Sequence, residues 1–146
     1  MPQYRSQLES DYAAHLAAQQ AAGEVEGFVY EPCTWALDHG LLKHKCTYTP
    51  DFVVRYPDGH LEYHEVKGFM REDAAVKVKL AAAQHPECPF YIVTRPSKKK
   101  GWCLKPIPLA WQRKASQKKI AALLQTINAN FTAHSVRIIS TIRNLF

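Results

Sequence analysis

The sequence predicts a single mixed α/β domain, an α+β arrangement in which a mixed sheet of about four strands is flanked by helices. Three observations carry that expectation. Helix-period and strand-period segments follow one another from Ser6 to Thr94 in the order α-β-β-β-α-β. A Pro-Asp-Gly turn separates two strand-like runs and marks a hairpin. The chain has 146 residues, 47% of them hydrophobic, enough for one real core and short for two ordinary domains.

Taken in order, Ser6 to Ala22 predicts a helix. Leu8, Tyr12, His15, Leu16 and Gln19 recur at helical spacing, Ser6 with Glu9 fits a capping box, and Gly23 ends the run. Phe28 to Trp35 is β-branched and aromatic enough for a strand, broken at Pro32. Asp38–His39–Gly40 reads as a turn. Tyr48 to Tyr56 is a second strand, with Pro50 imposing an irregularity just before Asp51. After Pro57–Asp58–Gly59, Leu61 to Lys67 returns as the hairpin partner. Arg71 to His85 carries Ala74, Ala75, Val78, Ala81 and Ala82, predicts the next helix, and stops at Pro86. Phe90 to Thr94 is short and apolar, as a central strand is. Trp102 to Leu104 offers a last strand, ended by Pro106 and Pro108. Farther on, Ile120, Leu123, Leu124 and Ile127 form one helical stripe, and Val136, Ile139, Ile142 and Leu145 another. Residues 111–146 are therefore expected to be a basic helical extension of a domain spanning 1–110.

Several classes are disfavoured. No apolar run approaches the ~20 residues that span a bilayer, and Met1 to Glu9 lacks a signal peptide's apolar stretch. Cys33, Cys46, Cys88 and Cys103 stand apart with no CxxC pair, so a disulfide framework is unsupported and a cytoplasmic location is expected. His39, His44 and Cys46, with Cys33 upstream, do not match structural zinc spacing and read as scattered loop residues. The net charge of +6 hides a sharper division. All 13 acidic residues lie within positions 1–87 beside 8 of the 19 lysines and arginines, while positions 88–146 carry the other 11 and no acid. Such asymmetry points to a polyanion, most often nucleic acid, with the carboxylates of the other half free for chemistry or a metal.

The informative segment runs from Tyr48 to Gly68. Alternate side chains of a strand share a face, so Glu65 and Lys67 point one way while Val66 and His64 point the other. A hairpin at Pro57–Gly59 brings the Asp51 strand alongside, and two carboxylates and a lysine converge near a strand end. Metal-assisted phosphodiester hydrolysis needs that set: hard oxygen ligands for Mg²⁺ or Mn²⁺, and a lysine to orient water or offset charge on the phosphorus oxygens. Glu9 in the first helix is the natural third carboxylate, although the capping box alone would also account for it.

Pro50–Asp51 with Glu65–Val66–Lys67 resembles the PD-(D/E)XK nuclease superfamily. Thr47–Phe52 and Glu65–Gly68, followed by an acid-rich segment, a basic helix and Gln84–His85–Pro86, are similar to phage endonuclease I-type Holliday-junction resolvases and related small phage endonuclease-like proteins. The likeness runs from about Leu8 to Thr94. It implies a restriction-endonuclease-like core and a Mg²⁺-dependent DNA endonuclease of phage or prophage origin. Branched DNA is the implied substrate, and a homodimer follows from the two sites that symmetric junction cutting needs. It also implies Asp51 and Glu65 as metal carboxylates, with the Val66 carbonyl as a further ligand. Lys67 falls on the catalytic lysine and Glu9 on the first-helix acid. The family's further glutamate, in the strand after the first helix, is Val29 here, with Glu31 two residues on.

Lys77 and Lys79, in the helix after the motif, are candidates for backbone phosphate. Lys98, Lys99 and Lys100 beside Trp102 suit phosphate contact with base stacking, or else form a polar loop next to a core tryptophan. The alternative to an enzyme is a non-catalytic nucleic-acid-binding phage accessory protein on the same fold.

Overall fold

The computed structural model describes residues 3–109 and Leu145. The expected helices of residues 111–146 fall outside the described residues apart from Leu145. Helix α1 (Gln7–Ala21) starts where the capping box sets it. Ser6 is the N-cap, and its hydroxyl accepts the Glu9 backbone N–H at 3.2 Å. Gly23, with φ +77°, follows the last turn.

The remaining elements are β1 (Gly27–Tyr30), β2 (Trp35–Ala36), β3 (Thr47–Tyr48), β4 (Phe52–Arg55), β5 (Leu61–Val66), α2 (Glu72–Gln84), β6 (Phe90–Thr94) and β7 (Cys103–Pro106). Five strands form one mixed sheet in the order β1-β4-β5-β6-β7. β5 and β6 run parallel and the other neighbours antiparallel. A parallel pair needs a crossover, and α2 supplies it. β2 and β3 pair separately as a small second sheet. No helix among the described residues is long and apolar enough to cross a membrane.

The main sheet divides two cores. Phe52, Val54, Val66 and Val93 pack with Tyr12 and Leu16 of α1 on one face. Val53, Tyr63 and Phe90 pack with Val78, Ala81 and Ala82 of α2, and with Trp35 and Tyr48 of the small sheet, on the other. β4 is buried on both faces, which is why Phe52–Val54 reads as a continuous apolar run rather than an alternation.

The mixed sheet is of the expected class, and the last strand expected over Trp102 to Leu104 is β7, Cys103–Pro106, along the outer side of β6. An edge position tolerates the missing N–H of Pro106. The runs expected as the single strands Phe28 to Trp35 and Tyr48 to Tyr56 each split in two. Their first and last parts pair in different sheets, because Glu31 takes a left-handed φ of +45° before Pro32 while Pro50 interrupts the opposite strand. The gap is bridged by the Glu31 N–H on the Asp51 carbonyl at 2.8 Å and by the Thr34 and Thr49 hydroxyls at 2.6 Å. That split leaves Asp51 at the mouth between the two sheets.

Candidate active site

Asp51 enters from the loop just before β4. Its Oδ2 accepts the Val66 backbone N–H at 2.8 Å, which locks the carboxylate against the end of β5. Glu65 lies on β5 with its side chain on the α2 face, where Tyr48 of β3 donates its hydroxyl to Oε2 at 2.6 Å. Lys67 is the first residue past β5, anchored by its N–H on the Val93 carbonyl at 2.9 Å. Its Nζ sits 3.0 Å from Glu65 Oε1 and 3.6 Å from Asp51 Oδ2. Both carboxylates are buried, and the ammonium is partly open to solvent.

The charges in this group do not balance. Two ionised carboxylates and one lysine leave a net negative charge under low-dielectric conditions. Burial first, and then repulsion from Glu65, push the Asp51 carboxyl up to about 7, against the pull of Lys67 and the Val66 N–H. Burial by itself would lower Lys67, but the Glu65 and Asp51 charges together hold it above its ordinary value, so it stays an ammonium. Burial and the neighbouring Glu65 hold the Tyr48 hydroxyl far above its usual range, so it remains a donor.

No hydrogen bond or ion pair joins Glu9 to this group. Glu9 Oε2 accepts from the Tyr30 hydroxyl at 2.7 Å and the Arg5 N–H at 3.0 Å, and its Oε1 from the Ser6 hydroxyl at 3.0 Å. These are the bonds of a helix start, although its charge still reaches Asp51 and Lys67 through space. Val29 packs toward the α2-side core, and Glu31 pairs with the Arg5 guanidinium at 2.8 Å. Val66 contributes the backbone N–H described above and buries its side chain on the α1 face. Among the described residues, no three His, Cys, Asp or Glu side chains gather around a common point.

The basic candidates are scattered. Lys77 and Lys79 are exposed on α2, on either side of the buried Val78. Lys98, Lys99 and Lys100 are exposed in a turn closed by the Lys100 N–H on the Ser97 carbonyl. Trp102 is engaged in packing: its ring meets Tyr12 with centroids 4.8 Å apart, and the Arg95 guanidinium lies 5.1 Å from its centre. Sequence reasoning missed Tyr48, the residue that fixes Glu65. The only available signal was its place three residues before Asp51, and Pro50 between them hides which way it points.

Residues 2–101 match the model of a family described as a protein of unknown function, DUF1064. No curated protein and no solved structure matches the chain.

Proposed function

We propose that this chain, which belongs to the DUF1064 family, is a metal-dependent DNA endonuclease that hydrolyses phosphodiester bonds. The observation that carries the reading is the Asp51–Glu65–Lys67 group. Two buried carboxylates are fixed by separate donors, the Val66 N–H and the Tyr48 hydroxyl, and share one lysine that cannot neutralise both. The raised Asp51 carboxyl fits a divalent cation, which would relieve the repulsion responsible for part of that shift. Asp51 and Glu65 would hold Mg²⁺ or Mn²⁺, with the backbone at Val66 beside them. The ion, when bound, supplies Lewis-acid polarisation of the phosphate and a lowered pKa for bound water.

The chain's own groups do the rest. Lys67, a permanent donor at the solvent edge of the carboxylates, positions the attacking water and offsets charge building on the phosphate oxygens. Tyr48 holds Glu65 in one orientation, so that only Oε1 faces the lysine. The acid-free basic half supplies attraction for the polyanion. Branched DNA of the Holliday-junction type, acted on by a phage protein, is the finer form of this proposal and rests on the sequence resemblance alone.

A second reading, a non-catalytic nucleic-acid binder, draws on one specific observation: no third carboxylate bonds to the pair, Glu9 accepting from Ser6, Arg5 and Tyr30 and Glu31 pairing with Arg5. One experiment separates the two. A four-way junction and its matched linear duplex are incubated with Mg²⁺, Mn²⁺ or EDTA, using wild type beside Lys67→Ala. Metal-dependent cutting that falls by roughly 100-fold or more in the variant is expected. Equal cutting of both DNAs would retain the chemistry and discard junction preference. Binding without cutting under any metal would replace the nuclease by the binder.

A further inference from the structure

Helix α2 is apolar on two opposite faces. Val78, Ala81 and Ala82 turn inward and are buried. On the outer side Val76 and Leu80 are 55% and 45% exposed. With 3.6 residues per turn, Val76, Leu80 and the exposed Ala83 fall within an arc of about 60°. Phe69, 82% exposed, stands in the loop that leads into the same helix. Val76 and Leu80 on one outer line, with an exposed Phe in the loop before the helix, make an apolar patch rather than singly scattered residues.

The borders of this stripe carry a charge pattern that matches itself when reversed. Glu72 and Lys79, seven residues apart, flank one side. Asp73 and Lys77 flank the other. None of the four has an ion-pair partner among the described residues.

We propose that this face of α2 packs antiparallel against the same face of a second copy of the chain. A two-fold axis beside Val76 then sets Glu72 against Lys79 of the second copy on one border and Asp73 against Lys77 of the second copy on the other. Each contact occurs twice. The apolar line buries itself between them, with Phe69 reaching toward the far end of the opposite helix at Ala83. A phosphate backbone laid along this face would meet Glu72 and Asp73 as well as Lys77 and Lys79, whereas the same face of a second copy matches all four. A parallel pairing fails, since it would bring like charges together. A single helix pair buries less than a standard permanent interface, so the dimer forms at micromolar concentrations. With Glu72 level with Lys79 of the second copy, the two helix N-termini lie about 10 Å apart along the helix pair. This association is independent of the nuclease reading and stands or falls without it.

The test is sedimentation equilibrium of the full chain without DNA, over roughly 1 to 200 µM. Wild type is compared with Val76→Asp, Glu72→Lys, Lys79→Glu and the double reversal Glu72→Lys/Lys79→Glu, with thermal melts confirming that each is folded. The expected result is a concentration-dependent dimer that Val76→Asp weakens at least about tenfold. Each single reversal should weaken it, and the double reversal should return the dissociation constant to within about threefold of wild type. A monomer at every concentration would overturn the proposal, as would result if the chain's own residues 110–144 covered the stripe. So would a dimer indifferent to Val76→Asp, or charge reversals that do not rescue one another.

Discussion

The two faces of β5 hold carboxylates in opposite ways. On the α1 face, Glu62 accepts from His64 Nε2 and the Tyr56 hydroxyl, each at 2.9 Å, while the Tyr12 hydroxyl closes on His64 Nδ1 at 2.7 Å. Burial alone would raise Glu62, yet the bonds from His64 and Tyr56 hold it below its ordinary value. On the α2 face, Glu65 and Asp51 stand side by side with one lysine, and Asp51 is pushed up to about 7. The first carboxylate is satisfied by hydrogen-bond donors within the fold, whereas in the second cluster two carboxylates repel each other across one lysine and have a use for a cation. A carboxylate held in the fold is thus a functional candidate when its neighbours leave it under repulsion, and a structural one when donors satisfy it.

The comparison is broken or sharpened most strongly by removing a carboxylate on the α2 face. Glu65→Gln should cost about 1,000-fold in metal-dependent cleavage, equivalent to ~4 kcal/mol, while the protein remains folded. Cleavage kinetics with a circular dichroism control measure this, and a near-normal rate would remove Glu65 from the chemistry. His64→Ala should do the reverse. Removing the buried partner that Glu62 and Tyr12 share should destabilise the fold by about 3 kcal/mol and leave Mn²⁺ affinity unchanged. Urea unfolding and metal titration test it, and a change in metal affinity would show that the two faces are coupled.

Acid and base should separate the clusters next. Because the folded Asp51 carboxyl lies above its ordinary 3.8, the folded state holds the proton more tightly. Its stabilising contribution is complete below about pH 3.8 and is lost as pH rises through about 7, a change on the order of 4 kcal/mol over the whole range. Glu62 is depressed, so its contribution is present above the ordinary glutamate range and is lost as pH falls through its lower folded value. Melting curves of the metal-free protein should therefore fall between pH 5 and pH 8, and Asp51→Asn should flatten that decline. Mn²⁺ should raise the melting temperature more at pH 8 than at pH 5, since it competes with the Asp51 proton. A decline that persists in Asp51→Asn would locate the proton elsewhere.

The smallest expected effect is that of Tyr48→Phe. It leaves Glu65 Oε2 without its 2.6 Å donor and should cost about tenfold in metal affinity or cleavage. Isothermal titration with Mn²⁺ reads the change. No change would mean that Lys67 alone orients the carboxylate.

Much of this was legible residue by residue. Ser6, Glu9 and Gly23 bound the first helix because caps act over three or four residues. Pro57–Gly59 fixed the β4–β5 hairpin, and with it the meeting of Asp51, Glu65 and Lys67, because turn type and strand alternation are local properties. His64 was placed on the face opposite Glu65 by the same period of two. The division of the long runs into two sheets was not legible. It depends on a positive φ at Glu31 and on which strand each half finds, and neither leaves a mark in the local pattern.

The sequence by itself determined the class of fold, the order of its elements, the convergence of two carboxylates and a lysine, and the separation of acid from base along the chain. These follow from short-range periodicity, turn chemistry and composition. Only the tertiary structure decided that Tyr48 fixes Glu65, that Glu9 is held by Tyr30, Arg5 and Ser6, that Trp102 packs on Tyr12, and that the Asp51 carboxyl is raised while Glu62 is not. Each of these depends on contacts between residues distant in the chain and on how much water the packing leaves around them, quantities that no local pattern encodes.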